Sequence, residues 1–213
     1  MNGSDARPLT MDALDPGTLA LVRLAAAIAT GRREALAERI DQALASGVPP
    51  EWVDELMLQS VLMVGYPRAL GALALWRERV AEPASLEDGT DYRMQAEWAE
   101  RGEGVCRTVY GANYEKLRRN VRDLHPAVDA WMVAEGYGRT IGRPGLDLGR
   151  RELCVVAQCA VLGAERQLHS HLRGSLNAGV APAVVARVLE ALAPDQEPEH
   201  AEMSQALWER IAR

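Results

Sequence analysis

The sequence predicts an all-α fold. Its apolar content is carried by Ala, Leu and Val, Phe is absent, and β-branched runs bounded by turn residues are scarce, a composition that favours helices. The second observation is a repeat. Residues 14–56 align without a gap on 146–188 at a constant offset of 132, with 12 identities in 43 positions. A bias towards Ala and Leu would not put Gly31/Gly163, Gly47/Gly179 and Pro50/Pro182 in register, so the block is read as an internally duplicated helical unit.

The shared positions describe that unit in order. Asp15 and Asp147 are N-cap residue types ahead of an apolar periodic run. Gly31 and Gly163 end the run, where a left-handed residue is needed. A second helix follows, with its inward stripe at Leu36, Ile40, Ala43 and Leu44, or at Leu168, Leu172, Ser175 and Leu176, the spacing of a core-facing helix. Gly47 and Gly179 stop it. Pro50 and Pro182 then open a third helix near its first turn. Each unit is thus a helical hairpin plus a third helix.

Three regions are expected: a first unit over 1–81, a linker with connecting helices over 82–145, and a second unit over 146–213. Within the middle region 82–91 reads as linker, and two helices are expected to end at Gly111 and Gly138. The basic run 115–122 reads as the solvated face of a helix, and 201–213 as a terminal amphipathic helix.

The formal charge of −6 and the lack of a basic stripe interleaved with aromatics give nucleic acid no electrostatic footing. No apolar run approaches the roughly 20 residues needed to span a membrane, and the first ten residues lack a basic stretch leading into an apolar one. Three cysteines argue against a disulfide scaffold and for a reducing cytoplasm.

The stretch 150–171 concentrates Glu152, Cys154, Cys159, His169 and His171. If its two helices pair near Gly163, Glu152 and His171 lie at levels about 4–5 Å apart along the axes, given the 1.5 Å rise per residue. They meet if both face inward. His171 falls on the inward stripe, whereas His169 lies about 200° away around the helix and points elsewhere. Cys154 and Cys159 diverge on one helix, so neither a four-ligand metal site nor a dithiol pair is expected. Cys159 is either a nucleophile near His171 or a buried structural thiol. Glu152 and His171 are either an acid–base pair or two buried groups satisfying each other's hydrogen bonds. The first unit has Ala20 and Arg39 at the matching positions, so the fold itself does not demand the pair.

These residues resemble the carboxymuconolactone decarboxylase family, within the alkylhydroperoxidase-D-like superfamily. The stretch 143–180 is similar to its core pattern, R-P-G-L-D, R-E-L and S-H ahead of L-N-x-G-V. The stretch 43–73 is similar to the part that follows, ending in G-x-P-x-A-x-x-A. The resemblance implies a helical fold assembled as trimers or hexamers (or a dimer-based form, given the duplication), with sites near subunit contacts. It implies a small carboxylated substrate, no cofactor and no metal. His171 would be the general acid, Glu152 the group that orients it, and Arg143 a carboxylate clamp. Tyr137 stands where the family's loop has tryptophan. Tyr66 and Arg68, from the first unit, are expected to help complete the pocket. The peroxidase branch of the superfamily uses a C-x-x-C pair whose positions here hold Ala164 and Gln167. Three readings therefore stand: a cofactor-independent decarboxylase or lactone-transforming enzyme, a peroxide reductase relying on Cys159, and a silent assembly or ligand-binding member.

Overall fold

A computed structural model of the protein describes residues 10–85, 87 and 89–213. The chain runs through α1 (Pro16–Thr30), α2 (Arg33–Ala45), α3 (Pro50–Arg77), α4 (Gln95–Tyr110), α5 (Tyr114–Leu124) and α6 (Pro126–Trp131). A π-helix (Met132–Ile141) follows, and then α7 (Leu148–Val161), α8 (Glu165–Asn177), α9 (Pro182–Leu192) and α10 (Pro198–Ile211). Among the described residues the only extended pairing is an isolated parallel bridge between Met11 and Val180. The fold is all-α.

The two copies form by the same local chemistry. Asp15 Oδ1 accepts from the Thr18 amide at 2.8 Å and Asp147 Oδ1 from the Arg150 amide at 3.0 Å, so each first helix is capped by its aspartate. Gly31 and Gly163 take φ of 70° and 65°, a conformation that a side chain would strain. The second turn closes alike in both, Val48 N to Ala43 O and Val180 N to Ser175 O, each at 3.0 Å. Helices α1 and α7 pack along each other, and the equivalent Ala25 and Ala157 are both fully buried. Leu21, Leu24, Leu153 and Val156 extend that seam into the core, each buried aliphatic side chain contributing about 1.5–3 kcal/mol.

The duplication reaches further than residues 56 and 188, and each unit has a fourth helical segment. In the first copy α3 is broken at Gly65 (φ 71°, ψ 169°), two residues before Pro67. In the second, 193–197 separates α9 from α10. Beyond each break the offset of 132 still holds, because Leu75 and Trp76 are buried as Leu207 and Trp208 are. Arg68 donates to the carbonyl of Ala29, and His200 bonds the carbonyl of Val161, the two equivalent atoms. The Arg33–Glu78 ion pair (3.3 Å) recurs with its signs exchanged as Glu165–Arg210 (3.9 Å). The sequence reading stopped early because identities thin out before this segment, where an arginine, a histidine and a reversed ion pair do equivalent work.

Three further expectations change. The segment starting at Pro126 does not stop at Gly138 but continues to Ile141 as a π-helix. Its glycines serve contact rather than termination: a methyl on Gly138 would overlap the Trp98 carbonyl, and one on Gly102 the Val133 carbonyl, so α4 and the π-helix meet backbone to backbone. On α5, most of the basic run is exposed as expected, but Arg118 is half-buried and it and Arg122 pair with the buried carboxylate of Asp129. Finally, α3 is long and apolar enough, by length and composition, to cross a membrane. Here it is bent at Gly65, and its first half carries Val53, Leu56 and Met57 into the core.

Candidate active site

Two neighbours on α7 point to different parts of the protein, about 100° apart on the helix. Arg151 is fully buried and faces α3 and the loop ahead of α7. Its guanidinium donates to Glu55 Oε2 (2.8 Å), Gln59 Oε1 (3.2 Å) and the carbonyls of Leu146, Arg143 and Pro144. A second buried arginine, Arg143, holds the same carboxylate, Nε to Glu55 Oε2 at 2.9 Å. Gln158, two turns further along α7, donates to Ser60 Oγ at 2.7 Å. These contacts fix the position and rotation of α7.

Glu152 faces α8 instead. Its Oε2 lies 2.8 Å from His171 Nδ1, with the glutamate fully buried and the histidine 7 % exposed. The pair fits beneath α8 because residue 174 is glycine. A methyl there would overlap Glu152 Oε2 and press on Val109 Cγ1. Glu152 Oε1 is buried with no hydrogen-bond partner, an acceptor left unused, and such buried groups normally find one. Nε2 of His171 bonds no described residue.

Tyr110, at the end of α4, stands edge-on to His171 with 6.3 Å between ring centroids. The Tyr137 hydroxyl, reaching in from the π-helix, donates to the Tyr110 hydroxyl at 3.2 Å. Burial pushes the Tyr110 phenol up to about 12 and that of Tyr137 well above its usual value, with the charge of Glu152 adding to both. Both phenols are neutral hydrogen-bond donors near pH 7. Burial likewise pushes the Cys159 thiol up to about 12, helped by Glu152, and the Cys106 thiol to about 12. Neither has thiolate character, and the thiolate is the nucleophile.

Of the residues singled out in the sequence, the structure brings together Glu152, His171, Tyr137 and Cys159. It sets the others apart. Arg143 is not a free carboxylate clamp: its side chain is 4 % exposed and bound to Glu55, and it also donates to the Glu87 carbonyl. Arg68 caps the end of α1 with its guanidinium, lies over Gly31 and lines a different groove, with Val161 and Asp195. Tyr66 is 68 % exposed and lines a groove on α3. His169 is half-buried on another face of α8, and Cys154 is fully buried. Sequence reasoning missed Tyr110. The cue available was its place as the last residue before a predicted helix end at Gly111, which says nothing about its neighbours in space.

An all-helical chain built from two matching units, one of which keeps a buried carboxylate–imidazole pair, defines the class. The model of the Carboxymuconolactone decarboxylase family matches residues 5–78 and 126–206. The two segments amount to well over half of the chain and hold one copy each of the helical unit, so the chain belongs to that family. No curated protein matches it.

Proposed function

We propose that the protein is a cofactor-independent decarboxylase or lactone-transforming enzyme for a small carboxylated lactone or keto acid. One observation carries this reading: the 2.8 Å bond from His171 Nδ1 to Glu152, which leaves Nε2 unbonded. The carboxylate holds Nδ1 and fixes the ring's orientation, so Nε2 is the nitrogen left for a ligand, and in the doubly protonated ring Nε2–H is the acid. Loss of CO2 breaks the carbon–carboxylate bond and sends its electron pair into the adjacent carbonyl as an enolate. Nε2–H then protonates the carbon, and the imidazole regains a proton from water. The neutral phenol of Tyr110 is a donor for the enolate oxygen, and donors aimed at developing charge lower the barrier most in enclosed sites.

Family membership does not separate this chemistry from peroxide reduction; the thiol favours the former. Burial and the adjacent carboxylate keep Cys159 protonated, which disfavours a role as peroxide-reducing nucleophile.

The test is CO2 release and ultraviolet absorbance with 4-carboxymuconolactone and related keto-acid lactones, with no metal or thiol added. We expect His171→Ala to lower kcat by at least about 100-fold, the scale of acid–base catalysis, and Cys159→Ser to turn over like the wild type. No CO2 release by the wild type, together with reduction of an added peroxide by an added thiol that Cys159→Ser abolishes, would replace this reading with the peroxidase one. No turnover by the wild type on any of these substrates, with carboxylates still binding, would favour a silent ligand-binding member.

A further inference from the structure

A cavity of about 470 Å³ lies on the outer face of α8, between that helix and the turn joining α4 to α5. Lys116, His169 and Arg173 line it, and no carboxylate does, in a chain with 30 acidic residues and a formal charge of −6. Neither Lys116 nor Arg173 makes an ion pair or hydrogen bond with any described residue, whereas Arg118 and Arg122, on the same helix as Lys116, are both taken by Asp129. His169 is held below the usual imidazole value, first by burial and then by the charges of Arg173 and Arg210. Glu165 acts on His169 in the opposite direction, but the cavity's own lining carries positive side chains and no carboxylate. Asn177 uses its amide nitrogen on the Val109 carbonyl, closing the α4 end of the cavity against α8. Tyr110 is a wall of this cavity and also the ring that stands against His171.

A concave, acid-free site with two unpaired cations on opposing helices suits one chemistry. Two cations across a gap favour a ligand carrying two or more negative charges, and partial enclosure strengthens each contact relative to open water. Arginine adds a planar fork that matches an oxyanion with two hydrogen bonds. We propose that this cavity binds a small oxyanion ligand of charge −2 or more, a polycarboxylate or a phosphate, anchored by Arg173 from α8 and Lys116 from α5. It is a site separate from the Glu152–His171 pair, and Tyr110 is the residue through which an occupant would touch that pair's surroundings.

The experiment is isothermal titration at low salt with citrate and with inorganic phosphate as separate probes. The proteins are the wild type, Arg173→Ala/Lys116→Ala, the control Arg119→Ala/Arg166→Ala, and His171→Ala. We expect the wild type, the control and His171→Ala to bind at least one probe alike, and Arg173→Ala/Lys116→Ala to bind it at least tenfold more weakly. Binding of citrate alone assigns the site to carboxylates, and binding of phosphate alone to phosphates. No binding of either probe to the wild type, unchanged affinity in Arg173→Ala/Lys116→Ala, or an equal loss in the control would overturn the proposal. All four substituted cations are on exposed faces, so these variants keep the fold. Because binding is read without turnover, failure of the decarboxylase reading leaves this test intact.

Discussion

The two copies of the helical unit share their caps, turns and buried tryptophans, yet they hold their central helices in different ways. In the first copy α1 meets α9 across apolar side chains, with Ala26 on α1 and Val188 and Leu192 on α9 all fully buried. At the matching positions of the second copy stand Gln158 with Ser60, and beside them Arg151 bonds Glu55 and Gln59, where the other copy has Leu19, Arg187 and Ala191. An apolar seam tolerates small rotations and slips because dispersion and the hydrophobic effect have little direction. A network of buried hydrogen bonds does not. The helix held by directional contacts is the one that presents Glu152 to His171. Buried ionic groups are weak evidence for stability, and here their use is to set one rotation of α7.

The largest expected effect breaks that network. Glu55→Ala leaves Arg143 and Arg151 buried without their common carboxylate and should cost about 3–5 kcal/mol, the range for removing one partner of a buried ion pair. Urea unfolding measures it. A cost below about 1 kcal/mol would mean the apolar contacts of α7 suffice, and the contrast between the copies would lose its meaning. A smaller effect concerns the room for the pair. In the first copy the residue matching Gly174 is Gln42, which needs no clearance because Ala20 replaces the glutamate. Gly174→Ala should force Glu152 away from Nδ1, with an overpacking cost of about 1–3 kcal/mol and a fall in kcat larger than the stability loss explains. Wild-type kcat in a stable Gly174→Ala protein would show that the pair does not need this spacing.

The smallest effect concerns the ion pair whose signs differ between copies. Arg33→Glu with Glu78→Arg gives the first copy the charge order of the second. Both pairs are largely exposed, with side-chain exposures of 65 % and 54 % against 62 % and 63 %. The double exchange should shift stability by no more than about 0.5 kcal/mol, as for surface substitutions generally, and a thermal melt reads it. A larger shift would reveal long-range electrostatics that distinguish the copies.

What could be read from the sequence was whatever the chain encodes locally. Asp15, Asp147, Gly31, Gly163 and the two helix-opening prolines each act within a few residues of themselves, so their roles follow from spacing. Glu152 with His171 was legible because a tight hairpin converts a separation of 19 residues into adjacent levels. The Glu55 network joins residues 88 and 96 positions apart, and no periodicity announces such a contact. Arg143 was misread for that reason: an arginine in a loop looks free until its partner on α3 is seen. Arg68 and His200 were hidden differently, because different side chains do the same job at equivalent places.

Arg150 joins the two halves at another point. Its guanidinium donates to Asp147 Oδ2 at 2.6 Å, to Asp15 Oδ2 at 3.0 Å and to Thr18 Oγ1 at 2.8 Å, so one side chain bridges the N-caps of α1 and α7. Fraying of either helix start therefore removes a ligand from the cap of the other. In amide exchange the first turns of α1 and α7 should open together, as one cooperative unit spanning both copies. Duplicated in sequence, the two halves are tied at this end by a single guanidinium that neither could replace from its own copy, since Thr18 stands at the position matching Arg150.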